Sequence, residues 1–191
     1  MPTYKKWLIG IACVVGLCVI SYHVGYISGL SDGKKSAVAT TQEESAPNPS
    51  YFVSPDVFIH NFNASAASFR LVDSRPVQDD FIEFGSTSQN LIVVGKRGSN
   101  RAAKLESVGI IFSKNNMRAY DEAMDGIHAT ILALSPSTTS QECRYIMEQL
   151  GLFEDINKAE GMKISEHHGI RYAITYETYR INFMAMPAPA N

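Results

Sequence analysis

The side chains best suited to chemistry are few and scattered along the 191 residues. Glu166, His167 and His168 stand together, and imidazole with carboxylate is a metal-binding combination. Adjacent strand residues point to opposite faces, however, and no second pair such as C-x-x-C completes a four-ligand set. The segment therefore reads as a polar turn before Gly169, and neither a metal nor a cofactor is assigned. Asp73, Asp79, Asp80 and Glu83 could converge across adjoining strands, where paired carboxylates can divide acid and base roles. A solvated turn around Pro76 is the preferred reading of that stretch.

Cys143 is the only cysteine outside the apolar N-terminal run and falls on the apolar side of a helix. A buried, inert thiol is expected there rather than a nucleophile. His128 could act as a base, but no motif ties a Ser, Cys or acid to it, and no catalytic residue is assigned. The P-loop, dinucleotide, zincin and nucleophile-elbow signatures are all missing, which removes only the enzymes that carry them.

Lys96, Arg97, Arg101 and Lys104 form one basic cluster in a Gly-Ser-Asn turn between strands. It could meet anionic headgroups or an acidic partner, while a solvated loop is the default. Nucleic acid is not an expected partner. Residues 51–191 carry 13 Lys and Arg against 16 Asp and Glu, and the cluster lacks interleaved aromatics. Three cysteines also rule out a disulfide-built scaffold.

These groups need elements to position them, and the first is an anchor. After a basic tail at 1–6, residues 7–30 contain no Asp, Glu, Lys or Arg. As a helix they would reach about 36 Å, more than the roughly 30 Å hydrocarbon core, so a transmembrane helix bound by membrane lipid is expected. Trp7, Tyr22 and Tyr26 suit the interfaces. Cleavage near Ala39 is the minority alternative, since Ala37-Val38-Ala39 lies behind a charged stretch.

Lys5 and Lys6 are balanced by Lys34 and Lys35, but the basic tail before the apolar run resembles a signal anchor. The N-terminus is expected in the cytoplasm and the C-terminal domain outside it, in the periplasm if the source is bacterial. Ser21, Gly25 and Gly29 recur every four residues, a small-residue stripe that would let a second helix approach, whether from another copy or from a partner membrane protein.

Residues 31–50 have almost no large apolar side chain and read as a flexible linker, separating membrane and domain by about 25 Å on average. Residues 51–186 then form one α+β domain, and 187–191 a disordered tail. Ser54-Pro55-Asp56 opens a helix over 55–67, and strands are expected at 69–73, 80–84, 91–96 and 107–113. Helical spacing returns over 119–134, and Thr139 with Glu142 forms a capping box that opens another helix, closed by Gly151. Strands at 162–165, 170–176 and 179–184 finish the domain, giving an antiparallel sheet with about three helices on one face. The sequon at Asn63 lies in a helix and is not expected to carry sugar.

The function expected from this organisation is a membrane-anchored, non-enzymatic binding or assembly module that presents an extracytoplasmic domain to a protein or small ligand. The alternative is a membrane-anchored hydrolase whose carboxylate and His site has no linear motif. A third reading is a structural subunit assembled through the helix stripe.

Overall fold

The computed structural model describes residues 52–78, 80–98 and 104–189. The expected anchor at 7–30, its stripe at Ser21, Gly25 and Gly29, and the linker at 31–50 all lie outside these. Among the described residues no helix is long and apolar enough to cross a membrane.

The described chain is α+β, with a seven-stranded antiparallel sheet and three helices. The strands are β1 (Leu71–Gln78), β2 (Phe81–Ser86), β3 (Leu91–Arg97), β4 (Leu105–Ser113), β5 (Gly161–His167), β6 (Ile170–Tyr176) and β7 (Arg180–Pro187). Their order across the sheet is β1-β2-β3-β4-β7-β6-β5, so two meanders meet along the β4–β7 ladder. Between them run α2 (Met117–Leu134) and α3 (Ser140–Gln149), which carry the chain from the centre of the sheet to its far edge.

The first helix, α1, spans Pro55–Ser65 and starts as its cap signal predicts, with Ser54 Oγ accepting from Val57 N. It stops two residues before the expected end: Ala66 N still donates to Phe62 O, but the two N–H groups after it find another acceptor. Ala67 N and Ser68 N both donate to the Asp125 carboxylate on α2, at 2.9 and 2.6 Å. The Asn63 side chain is also engaged, donating to Leu71 O and accepting from Leu71 N. Its amide fastens the end of α1 to the start of β1.

The segment around Pro76 departs from expectation. Instead of a turn it is strand, with Pro76 opposite Ile82 in the β1–β2 ladder. A proline cannot donate to a neighbouring strand, and the edge position of β1 removes that requirement on its outer side. The register shifts twice along β1, between Leu71 and Ser74 and between Pro76 and Gln78. At the other end of the domain, Pro187, the first residue of the tail expected to fray, still pairs with Ile170. Ala188 N then donates to Gly169 O at 2.8 Å.

The helix α2 starts two residues before the expected 119, capped by Asn116, and ends at Leu134 as expected, while the Thr139–Glu142 capping box opens α3 with both reciprocal bonds present. Gly126 on α2 lets the helix approach the sheet, since a methyl group there would come within 3.0 Å of the Phe69 ring and 3.2 Å of Ile110.

One core cluster joins Phe58 and Phe62 of α1, Ile127 and Ile131 of α2, and Ile146 of α3 to alternate strand residues such as Val93, Ile110, Tyr172 and Phe183. Strand residues of the opposite parity, Val94, Ile111, Ala173 and Met184, are buried outside that cluster. The centre of the sheet is therefore apolar on both faces, which explains why β4 and β7 read as nearly continuous hydrophobic runs.

Candidate functional site

The described acidic candidates lie on β1, on β2 and in the turn between them. Glu83 faces Arg75 across the β1–β2 ladder, with its carboxylate 3.2 Å from the guanidinium. Asp73 sits in the first irregularity of β1, its carboxylate lying over Gly85, and Asp80 is in the turn before β2. Asp79 lies outside the described residues. His128 is on α2 and is not grouped with these acids. Among the described residues, these side chains form no group of three potential ligands.

Within the basic cluster, Lys96 is held by Glu106 at 2.7 Å, and Arg97 Nε is buried with no hydrogen-bond partner. Lys104 is exposed, and its carbonyl accepts from Gly98 N. Arg101 lies outside the described residues. Cys143 is fully buried on α3, and burial pushes its thiol up to about 11, well away from thiolate chemistry at neutral pH.

The side chains that do gather are Glu142, His167 and His168. Each is positioned by a local rule. The β5–β6 hairpin closes with His167 opposite Ile170, leaving only His168 and Gly169 in the loop. Both have positive φ, +49° and +73°, the geometry of a type I′ turn, where asparagine followed by glycine is the usual choice. Because His168 leaves the extended conformation, its ring need not point away from that of His167. The two rings meet edge to face with centroids 4.1 Å apart.

Glu142 arrives from α3, where its second oxygen is committed to the cap. Oε2 accepts from Thr139 N and from Thr139 Oγ1, both at 2.7 Å. Oε1 faces the histidines, 3.3 Å from His167 Nε2 and 3.6 Å from His168 Nε2. The carboxyl is held down at about 2, first by the backbone bond from Thr139 and next by the Thr139 hydroxyl, with the two imidazoles adding to the effect. It is an anion throughout the neutral range.

His167 Nε2 is buried and makes no hydrogen bond, although Glu142 Oε1 lies close by. Glu166, the expected neighbour, belongs elsewhere: it pairs with Arg171 at 2.6 Å. Alternation along β5 sends its side chain to the opposite face from His167. Two imidazole nitrogens and one carboxylate oxygen thus lie within 4.8 Å of one another, the group of at least three metal-ligating residues found among the described residues. The adjacency of His167 and His168 was visible in the sequence, but the carboxylate that completes the set is 25 positions upstream and doubles as a helix cap.

A second polar cluster is structural. Glu122 on α2 accepts from Ser88 Oγ, from Asn90 Nδ2 at 3.0 Å and from Arg118 Nε at 3.1 Å. Burial opposes its charge, but these bonds outweigh burial and leave the carboxyl below its ordinary range. They tie the β2–β3 turn to the start of α2. A shallow depression of about 930 Å³ at the other end of the sheet is lined by Lys114, Glu160, Tyr176 and Tyr179. Of its charged members, Lys114 Nζ donates to Ala159 O and Arg180 pairs with Glu177.

No family model matches the chain, and no curated protein or solved structure matches it. The functional reading rests on these residues and their geometry.

Proposed function

We propose that the chain is a membrane-anchored, non-enzymatic binding module, and that its extracytoplasmic domain receives an extended segment of a partner protein along β5. The observation that carries this reading is the state of that edge. Among the described residues β5 pairs only with β6, in unbroken register from Gly161 to His167, and it contains no proline.

With a two-residue loop the closing pair His167–Ile170 is hydrogen-bonded, so bonded pairs recur at Ser165 and Lys163. The backbone groups of Met162, Ile164 and Glu166 then point outward, away from β6. A partner strand would gain main-chain hydrogen bonds there. Met162 and Ile164 are 40% and 43% exposed and would give it apolar contacts.

The anchor at 7–30 and the linker at 31–50 enter this proposal as the means of holding the domain near a membrane partner. The stripe at Ser21, Gly25 and Gly29 would add contact between helices, and Lys96, Arg97, Arg101 and Lys104 would face an anionic surface or partner. Crosslinking in native membranes, followed by identification of the captured protein, tests the proposal. The expected outcome is a protein partner whose capture is lost in Ile164→Pro, which removes one outward N–H and one apolar side chain. Undiminished capture by that variant overturns it.

A second reading, a membrane-anchored hydrolase, is favoured only by the Glu142–His167–His168 cluster. Hydrolysis of a simple ester by the zinc-treated full-length chain, abolished in His167→Ala, would support it. Equal rates in the two proteins would dismiss it.

A further inference from the structure

We propose that Glu142, His167 and His168 form a binding site for a divalent transition metal of the zinc class, independently of any strand added at β5. The donor set is chemically complete for such an ion: two imidazoles and one carboxylate, with a further position left for water or an incoming ligand.

The spacing fits as well. Ligands at about 2.0–2.1 Å from a tetrahedral ion lie roughly 3.3 Å from one another. Glu142 Oε1 stands 3.3 and 3.6 Å from the two Nε2 atoms. A direct ion pair explains the arrangement less well. His167 Nε2 is buried and 3.3 Å from a carboxylate oxygen, yet no hydrogen bond joins them, so the nitrogen is directed beside the oxygen rather than at it. An ion placed between them would satisfy both.

The surroundings prepare the ligands. The capping box fixes the Glu142 carboxylate through Oε2 and leaves Oε1 free, an outer-sphere arrangement that orients a ligand before the ion arrives. Glu142 adds a carboxylate oxygen to the two imidazole nitrogens, the mixed donor set that zinc accepts. His168 is held at φ +49° in a tight turn, and that turn lets both imidazoles join one site. With His168 about half exposed, the ion would be reached from solvent. It would join the tip of the β5–β6 hairpin to the first turn of α3, two elements 25 residues apart in sequence.

The test uses the full-length chain in detergent, free of any polyhistidine tag and stripped with chelator. Zinc is titrated by calorimetry and cobalt(II) by visible absorption. One equivalent of zinc should bind, cobalt should give the intense visible bands of a low-coordinate nitrogen and oxygen site, and the melting temperature should rise with zinc concentration. His167→Ala and Glu142→Gln should each weaken zinc binding at least about tenfold. His168→Asn, which tolerates the left-handed backbone, should do the same, whereas His60→Ala with His128→Ala should change nothing.

If the variants fail to fold, the cobalt spectrum of the unaltered chain decides: octahedral, aquo-like bands overturn the site. So does the absence of zinc uptake at micromolar concentration, or affinity that falls in the His60 and His128 double variant but not in folded His167→Ala.

Discussion

The two edges of the sheet are built differently. β1 carries Pro76 and Arg75 and breaks register twice, features that stop a foreign strand from pairing alongside it. β5 has none of these irregularities, presents Met162 and Ile164, and sets its one lysine, Lys163, against Glu154 at 2.6 Å. Natural proteins protect open edges, and the contrast between these opposite edges is what the proposed strand addition at β5 rests on. Both edges lean on the same core, and the difference between them lies in their rims.

The most severe way to break this comparison is to remove core support behind each edge. Phe84→Ala behind β1 should cost about 3–5 kcal/mol and Ile174→Ala behind β5 about 2–5 kcal/mol, because both side chains are fully or almost fully buried. Chemical denaturation should remain a single transition in both. Separate melting of the β5–β6 hairpin would show that the edges do not share a core.

Next in size is the fastening of the β2–β3 turn. Glu122→Gln should cost about 1–3 kcal/mol, because a neutral amide at this buried position cannot accept from all of Ser88, Asn90 and Arg118. Its carboxyl lies below the ordinary 4.5 when folded, so it stabilises the fold above that value, and the contribution disappears as pH falls through the lowered folded pKa. Between about pH 5 and pH 3 the unaltered protein should therefore lose more stability than the variant does. Parallel acid profiles for the two would remove Glu122 from the account.

The edges themselves come next. Ile164→Lys on β5 should lower partner capture in membranes at least about tenfold, equivalent to about 1.4 kcal/mol, whereas Val77→Lys on β1 should leave it unchanged. Equal losses at both would erase the distinction. The smallest effect belongs to surface charge: Arg75→Ala should change stability by less than about 1 kcal/mol, since the pair with Glu83 is exposed.

Much of the fold is legible in the chain because local signals agree with the final packing. The spacing of Phe58 and Phe62, the Thr139–Glu142 box and the turn before Gly169 each name an element that forms close to where it is expected. Pro76 misleads because proline marks a turn in most contexts, and only the place of β1 at the outside of the sheet makes a strand tolerable there. Strand order settles that, and no short window of sequence contains it.

The early end of α1 has the same origin, an acceptor at Asp125 contributed from α2. The candidate site was half legible. Two neighbouring histidines are conspicuous, but alternation assigns them to opposite faces unless the turn geometry of His168 is known. Glu142 already had a sufficient explanation as a cap. The second oxygen of a carboxylate is a resource that linear patterns do not register.

The meeting of the two meanders has a consequence for how the molecule must be made. Its middle is the β4–β7 ladder, and β7 follows every other described strand and helix in chain order. Until β7 is made the first four strands present an uncovered flank in β4, rich in isoleucine and phenylalanine. Nascent chains halted before Arg180 should consequently cling to chaperones, and loss of residues 180–191 should be as damaging as deletion of an interior segment.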